Sequence, residues 1–436
     1  MKLSNLCTKT IKDTGSADVS RNAQLLTRAG YINKLMAGVY SYLPLGFRVL
    51  NKVENIVRQE MNAIGAQEIL MPALQPRAIW ETTGRWDKVD VLFKLSGQGD
   101  RDLALGPTHE EVVTPLIGSY IQSYRDLPKA VYQIQTKFRN EPRAKSGLLR
   151  GREFRMKDMY SFHVDQRGLD EFYDQAIQAY KNVYKRCGLG ELTLLTYASG
   201  GIFSKYSHEF QTITPYGEDT VYRIPETDIA INREIIEDKG VLSELMPDYK
   251  DGDEANLEEL KAIEVGNIFK LGSRFTDSFG VEFAGADGQK GKVVMGCYGI
   301  GPSRVMGTIA EVLSDDKGLI WPSEVAPFQV HLVSLCRGEA EVKICNDLYQ
   351  QMQSLGIDVL YDDRQDVQTG EKLADADLIG IPLRVLVSKK TIAQNAVEVK
   401  GRLDNESQMV ATTDLLDLLQ KSAFNINSNN LLKDKN

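Results

Sequence analysis

Residues 137–162, KFRNEPRAKSGLLRGREFRMKDMYSF, run from a strand-like stretch through a short loop (EPRAKSGLL) into a second strand-like stretch. That pattern commits this part of the chain to a β-hairpin. From Lys137 to Lys157 it carries eight Lys or Arg against two Glu, a local charge of +6 in a 436-residue chain whose formal charge is −8. A charge run is ordinarily a solvated face. Arginines at the base of a hairpin have a second use, because the guanidinium fork matches phosphate oxygens two at a time and can hold a nucleoside triphosphate.

The remaining bounds exclude several classes. A chain of this length exceeds one hydrophobic core, so two or three domains are expected. There is no apolar stretch before Leu25 and no run of eighteen apolar residues, so neither secretion nor membrane insertion is expected. The five cysteines (Cys7, Cys187, Cys297, Cys336, Cys345) are odd in number and lack CxxC pairing. Neither a disulfide framework nor a zinc site can be assembled from them, and a reducing cytoplasm is the expected location. The four histidines are too scattered for a metal cluster; His109 and His208 fall near candidate ligand positions, whereas His163 and His331 read as structural. No Ser–His–Asp or Cys–His arrangement is present to argue for nucleophilic catalysis.

The hairpin resembles motif 2 of the class II aminoacyl-tRNA synthetases, in FRNE followed by Arg150-Gly-Arg-Glu-Phe154. The resemblance implies that Arg139 holds the ATP α-phosphate and the amino-acid carboxylate, Glu141 faces the adenine amino group, Arg150 reaches the outer phosphates and Phe154 stacks on adenine. These residue types suit those tasks: a ring for a base, a carboxylate for an amine, guanidinium for phosphate. Residues 294–311, VMGCYGIGPSRVMGTIAE, place Gly296, Gly299, Gly301 and Arg304 ahead of a helical pattern. By itself this is a glycine turn packing a helix on a sheet, and it fits neither the Walker A nor the dinucleotide pattern. In its order after the hairpin it resembles class II motif 3, where glycines let the strand approach the ligand and the arginine covers adenine and the γ-phosphate. Val49, Val53, Ile56, Val57, Met61 and Ile64 recur at helical spacing before Gly65 and a strand, residues 67–71, ending at Pro72. An amphipathic core helix is the plain reading; the unit's resemblance to motif 1 of the same family implies a homodimer interface.

Gly106-Pro-Thr-His-Glu-Glu-Val-Val-Thr114 is similar to the Thr-x-Glu loop of the prolyl-tRNA synthetases. A secondary ammonium has two N–H donors, which a hydroxyl (Thr108) and a carboxylate (Glu110) can saturate. Thr108 with Glu111 three residues later also has the form of a helix cap, and both readings can hold. Asp158–His163, Tyr206–Gln211, Glu264–Gly272 and ADADLIGIP (374–382) resemble the same family. The resemblance implies Thr108, Glu110, Phe162, Glu209 and Cys297 around proline, and Arg139, Glu141, Arg150, Phe154, Gln211, Gly299 and Arg304 around ATP, with Arg139 and Arg304 catalytic. It implies proline activation by ATP with Mg²⁺, transfer to tRNA(Pro), and no protein base, because the attacking carboxylate is already an anion. Membrane and DNA are not expected partners. Glu209 or Gln211 is expected to lie close to the magnesium, and no protein metal site is assigned. A catalytically silent RNA-binding relative is the first rival, opposed by the presence of all three arginines. A class II enzyme for threonine is the second, opposed by missing Cys and His zinc ligands.

The fold class implied is α/β (α+β), an antiparallel-sheet catalytic domain followed by a C-terminal α/β anticodon-binding domain. The boundaries expected are 1–217 and 261–326 for the catalytic domain, 218–260 for a reduced insertion, 327–421 for the anticodon-binding domain and 422–436 for a disordered tail. The insertion contains the acidic run DYKDGDEANLEE (248–259), read as a solvated loop or small appendage, and is too short for the large editing domain of the usual bacterial form. Trp321–Pro327 reads as a linker. Beyond it, strands at 328–335, 357–361, 383–387 and 396–399 alternate with helices at 340–355 and 370–379, which predicts a mostly parallel sheet. Arg364 and Lys372 are the tRNA-contact candidates there.

Overall fold

The computed structural model describes residues 1–13, 20–99, 101–201, 206–246 and 256–422. The stripe at 49–64 lies on helix α1 (Pro44–Ala63), with Val49, Val53, Ile56, Val57 and Met61 buried. Proline suits the first turn, where its missing N–H goes unused. Gly65, at φ +82°, turns the chain out of the helix into β1 (Gln67–Glu68). That strand is shorter than expected, because the Met71 amide bonds the Gln133 side-chain oxygen at 3.0 Å instead of a neighbouring strand.

Helix α2 (Glu110–Gly118) precedes the expected hairpin, β2 (Lys129–Phe138) and β3 (Glu153–His163), paired from Lys129–Phe162 to Phe138–Glu153. Helix α3 (Gln166–Arg186) starts at Asp165, whose carboxylate accepts from the Gly168 amide at 2.8 Å. It buries Leu169, Tyr173, Ala176, Tyr180 and Val183, one face of a helix. A side chain at Gly266 would strike the Tyr184 hydroxyl, so glycine is what lets this helix lie close on the sheet.

Strands β4 (Thr193–Ser199), β5 (Tyr206–Ile213), β6 (Asp219–Arg223), β7 (Ile229–Asn232), β8 (Glu258–Gly272) and β9 (Val294–Ile300) complete a nine-stranded sheet. Its order is β5-β4-β7-β6-β8-β9-β3-β2-β1, with β8 also paired to β5. All pairs are antiparallel except β4–β7 and β1–β2. Helix α4 (Pro302–Val312) follows the glycine turn.

The segment 218–260 contributes strands to this sheet: β6 pairs with β8, and β7 with β4 and β6. Ile231, Ile235, Val241 and Leu242 form a small apolar cluster there. Glu258 and Glu259, the end of the acidic run, open β8, while 248–255 lie outside the described residues.

The C-terminal sheet contains β10 (Val330–Ser334), β11 (Val359–Asp362), β12 (Leu383–Val387), β13 (Ala396–Gly401) and β14 (Gln408–Ala411) in the order β11-β10-β12-β13-β14. It is joined by α5 (Glu339–Ser354), α6 (Thr369–Ile379) and α7 (Thr412–Ser422). β10 is parallel to β11 and β12, and the other two pairs are antiparallel, so the sheet is mixed. The expected alternation missed β14 and α7; the residues assigned to a tail, from 423 on, lie outside the described residues. Trp321 is packed, not a free linker: its indole N–H donates to the Tyr31 hydroxyl at 2.8 Å. Contacts divide the chain into two units, Met1–Leu35 with Tyr40–Lys52 and Ile309–Asn436, and Met36–Val39 with Val53–Thr308. Among the described residues no helix is long and apolar enough to cross a membrane.

Candidate active site

Strand pairing sets the floor of one cavity in the second unit. Asn267 of β8, Gly299 of β9, Asp158 of β3 and Gln133 of β2 fall in register across four strands. Two residues along, Phe269, Cys297 and Tyr160 form the next row. A side chain at Gly299 would meet only the Asn267 carbonyl, at 3.7 Å, so the bare glycine opens the floor to a ligand. The cavity, of about 270 Å³, is lined by Thr108, Glu110, Arg139, Glu141, Arg150, Phe154, Cys297, Gly299 and Arg304. Nine residues chosen from three separate stretches of sequence thus meet around one space.

The arginines differ in their commitments. Arg304, in the first turn of α4, bonds the Leu149 carbonyl at 2.7 Å and the Glu264 carbonyl and carboxylate at 2.9 and 3.0 Å. Arg150 holds Glu141 at 2.9 Å and remains half exposed. The Arg139 guanidinium makes no ion pair or side-chain hydrogen bond with any described residue; it lies over the Phe154 ring, 5.3 Å from the centroid. Burial first, and then the neighbouring Arg304 charge, disfavour its protonated form. An anion placed between the two guanidinium groups relieves both.

At the other end, Thr108 Oγ1 and Glu110 Oε2 are buried and neither has a hydrogen-bond partner. The helix cap read at Thr108 does not form: His109 is the N-cap residue of α2, and no side chain caps it. Arg85 lies behind, almost wholly buried, 2.7 Å from Glu111 and 3.7 Å from Glu110. Burial, and after it the Glu110 carboxylate, push the Cys297 thiol well up, so it stays neutral.

Phe162, Glu209 and Gln211 do not line the cavity. Phe162 is buried in the apolar cluster that contains Cys297 and Tyr160. Glu209 and Gln211 lie on β5 opposite Asn267 and Glu264, which do line it. Gln211 Nε2 donates to Glu209 and to Asp219, each at 2.9 Å, and Asn232 donates to Glu209 at 3.0 Å. Burial, and next the Glu264 carboxylate, push the Glu209 carboxyl up to about 8. Gln211 Oε1 and Asn267 Oδ1 are buried without partners. Oxygen atoms of this kind beside repelling carboxylates fit a hard cation. Among the described residues, however, no three His, Cys, Asp or Glu are placed to hold a metal by themselves.

Of the eight cations in the hairpin, Lys137 and Lys157 are fully buried. Lys137 pairs with Asp158 at 2.9 Å; Lys157 donates to the Tyr298 carbonyl at 3.0 Å. Arg155 pairs with Glu54 at 2.7 Å. The +6 run is therefore partly core, which its charge alone could not reveal. Asp158, Tyr160, Glu264, Asn267 and Arg85 were not singled out from sequence; the first four lie in stretches already matched to the family, and Arg85 carries no local signal. In the C-terminal unit Arg364 pairs with Asp362 at 2.7 Å and Asp375 at 2.9 Å, and buried Lys372 donates to the Ser334 carbonyl at 2.7 Å. Both are committed within the fold.

The tRNA synthetase class II core domain (G, H, P, S and T) matches residues 93–313, and the anticodon binding domain matches residues 326–422. Fold and site together define a class II aminoacyl-tRNA synthetase. The proline–tRNA ligase of Anaplasma phagocytophilum is 40% identical over 429 residues, covering 95% of this chain and 99% of its own length. That of Rhodopseudomonas palustris is 38% identical over 434 residues, covering 95% and 98%. The chain belongs to the proline–tRNA ligase family. The enzyme of a Geobacillus species is 33% identical, covering 97% and 99%, over 566 aligned positions. That alignment exceeds the 436 residues of this chain, so the relative carries residues without counterpart here. Two solved structures share the fold. The Giardia lamblia prolyl-tRNA synthetase in complex with prolyl-adenylate has a TM-score of 0.74 at 19% identity, covering 90% of this chain and 74% of that one. The Cryptosporidium parvum enzyme complexed with L-proline and AMP has a TM-score of 0.73 at 21% identity, covering 94% and 76%.

Proposed function

We propose that this chain activates L-proline with ATP to prolyl-adenylate and pyrophosphate, then transfers the prolyl group to the 3′ end of tRNA(Pro). One observation carries the proline end: Thr108 and Glu110, each with a buried side-chain oxygen that lacks a hydrogen-bond partner, line the same cavity as an unpaired Arg139. A secondary ammonium supplies two donors to the first pair, and its carboxylate suits the guanidinium.

In this reading the proline carboxylate, held by Arg139, attacks the α-phosphorus in line. Arg139 and Arg304 act on the charge that develops there, and Arg150 turns from Glu141 to the outer phosphates. Phe154 stacks on adenine, Glu141 accepts from its amino group, and Gly299 leaves room for the nucleotide. Cys297, with Phe162 behind it, walls the proline ring. Glu209 and Glu264, with Gln211 or Asn267 oxygens, would hold Mg²⁺ jointly with phosphate. Bound there, Mg²⁺ neutralises phosphate charge.

The catalytic domain is assigned to 1–217 and 261–326, the strands of 218–260 extend its sheet, and 327–421 serves tRNA. Arg364 and Lys372 would act on tRNA by fixing the 363–368 loop between β11 and α6, given their pairing with Asp362, Asp375 and the Ser334 carbonyl. A cytoplasmic homodimer is proposed, formed around residues 51–72, where Leu70 is 78% exposed. The deciding assay is exchange of pyrophosphate into ATP over a panel of amino acids. Proline-dependent exchange is expected; exchange with threonine alone, or with none, overturns the reading.

A further inference from the structure

Between Thr108 and Glu110, which line the cavity, His109 does not line it and is buried in the core with no exposed surface. Its Nε2 lies 2.9 Å from the Pro72 carbonyl, an acceptor only, so this nitrogen carries the hydrogen. Nδ1 is then bare and accepts from Lys137 Nζ at 2.6 Å. The backbone amide of His109 donates to the Tyr160 hydroxyl at 2.9 Å, and that hydroxyl donates to Asp158 at 3.0 Å. Lys137 closes the ring by its ion pair with Asp158, and Gln133 Nε2 also donates to Asp158, at 3.0 Å. One residue thus ties the Gly106–Glu110 turn to β2, to β3 and to the backbone at Pro72.

We propose that His109 is a positioning residue for the amino-acid pocket, latching this turn to the sheet so that Thr108 and Glu110 present their oxygens to the substrate ammonium. The proposal rests on the reading of the cavity as a proline site. Two short side chains cannot aim into a cavity from a free turn, since backbone rotation at 108–110 would swing both away. The latch works through one tautomer, because a proton on Nδ1 would face the Lys137 ammonium. The charged and titratable groups around the imidazole are Lys137 on β2, Asp158 and Tyr160 on β3, and Glu110 on α2; burial, then Lys137, hold its pKa down at about 4. The ring is therefore neutral near pH 7.

The test uses the full chain in ATP–pyrophosphate exchange. For His109→Ala, the KM for proline is expected to rise about tenfold or more, with the KM for ATP and kcat within about threefold. His109→Asn, whose side-chain oxygen can accept from Lys137, is expected to recover part of that loss. Should His109→Ala fail to fold, His109→Leu, which fills the space but accepts nothing from Lys137 and leaves the Lys137–Asp158 pair intact, is expected to raise the KM for proline in the same way. Equal rises in both KM values, or an unchanged KM for proline in a folded variant, overturn the latch. Absence of proline-dependent exchange in the parent chain overturns the reading of the site instead.

Discussion

The Arg139 guanidinium lies 5.3 Å from the centroid of the Phe154 ring and is bonded to no carboxylate among the described residues. With no carboxylate to satisfy it within the fold, this guanidinium is open to a ligand and adds little to stability. Arg139→Ala is therefore expected to lower exchange activity about a hundredfold, roughly 3 kcal/mol of transition-state stabilisation. Its melting temperature should stay within a few degrees of the parent, about the shift expected for under 1 kcal/mol. Activity close to the parent, or an unfolded variant, would count against the assignment.

Arg85 shows the opposite commitment. Its guanidinium and the Glu111 carboxylate are almost wholly buried, 2.7 Å apart, and Thr83 donates to the same oxygen at 2.9 Å. Removing one partner strands the other, so Arg85→Met is expected to destabilise the fold by about 3–5 kcal/mol. Arg85→Met combined with Glu111→Gln should recover a clear part of that loss. Denaturant titration of the three proteins measures it, and a double variant no better than the single would refute the coupling.

Acid should unfold this protein early. Burial brings His109, His163 and His331 down to about 4 from the ordinary 6.5. The unfolded chain takes up these protons below 6.5 and the folded chain does not until about 4, so stability is complete above 6.5 and falls through that window. His331, with neither ring nitrogen partnered, gives the cleanest test. His331→Phe relative to the parent is expected to be more favourable at pH 5 than at pH 7.5; the same difference at both would remove His331 from the account.

Alanine fits any pocket shaped for proline, and missing methylenes discriminate by only about 1–3 kcal/mol per group. A separate hydrolytic site needs a domain with its own core. The described part of 218–260 is instead built into the catalytic sheet through β6 and β7. Purified protein is expected to leave alanyl-tRNA(Pro) intact, measured as deacylation against a control without enzyme. Deacylation above that control, persisting with the synthetic site blocked by a prolyl-adenylate analogue, would contradict this.

Ile56 belongs to the core, at 3% exposure, whereas Leu70 is 78% exposed. Leu70→Asp is therefore expected to shift solution mass from dimer to monomer at micromolar protein with the fold retained, and Ile56→Asp to unfold it. A monomeric parent with full activity would end the dimer proposal.

Much of this site was legible because its chemistry sits in short local patterns. The hairpin around Arg139 and Arg150, the glycines before Arg304, and Thr108 with Glu110 each combine residue type and spacing that a ligand demands. Those patterns also determined the family. What each charged residue does was not legible, because burial and partnership come from strands far apart in sequence. Lys137 and Lys157 look like Arg139 in a charge count, yet pairing of β2 with β3 and of β3 with β9 encloses both lysines, whereas Arg139 lines the cavity. Asp158, Glu264 and Asn267 become neighbours of one cavity only through cross-strand register. Arg85 reaches Glu110 and Glu111 from another loop altogether. A sequence fixes which groups exist, whereas the low dielectric around them, which decides whether a charge must be paired or can wait for a ligand, exists only once the sheet has closed over them.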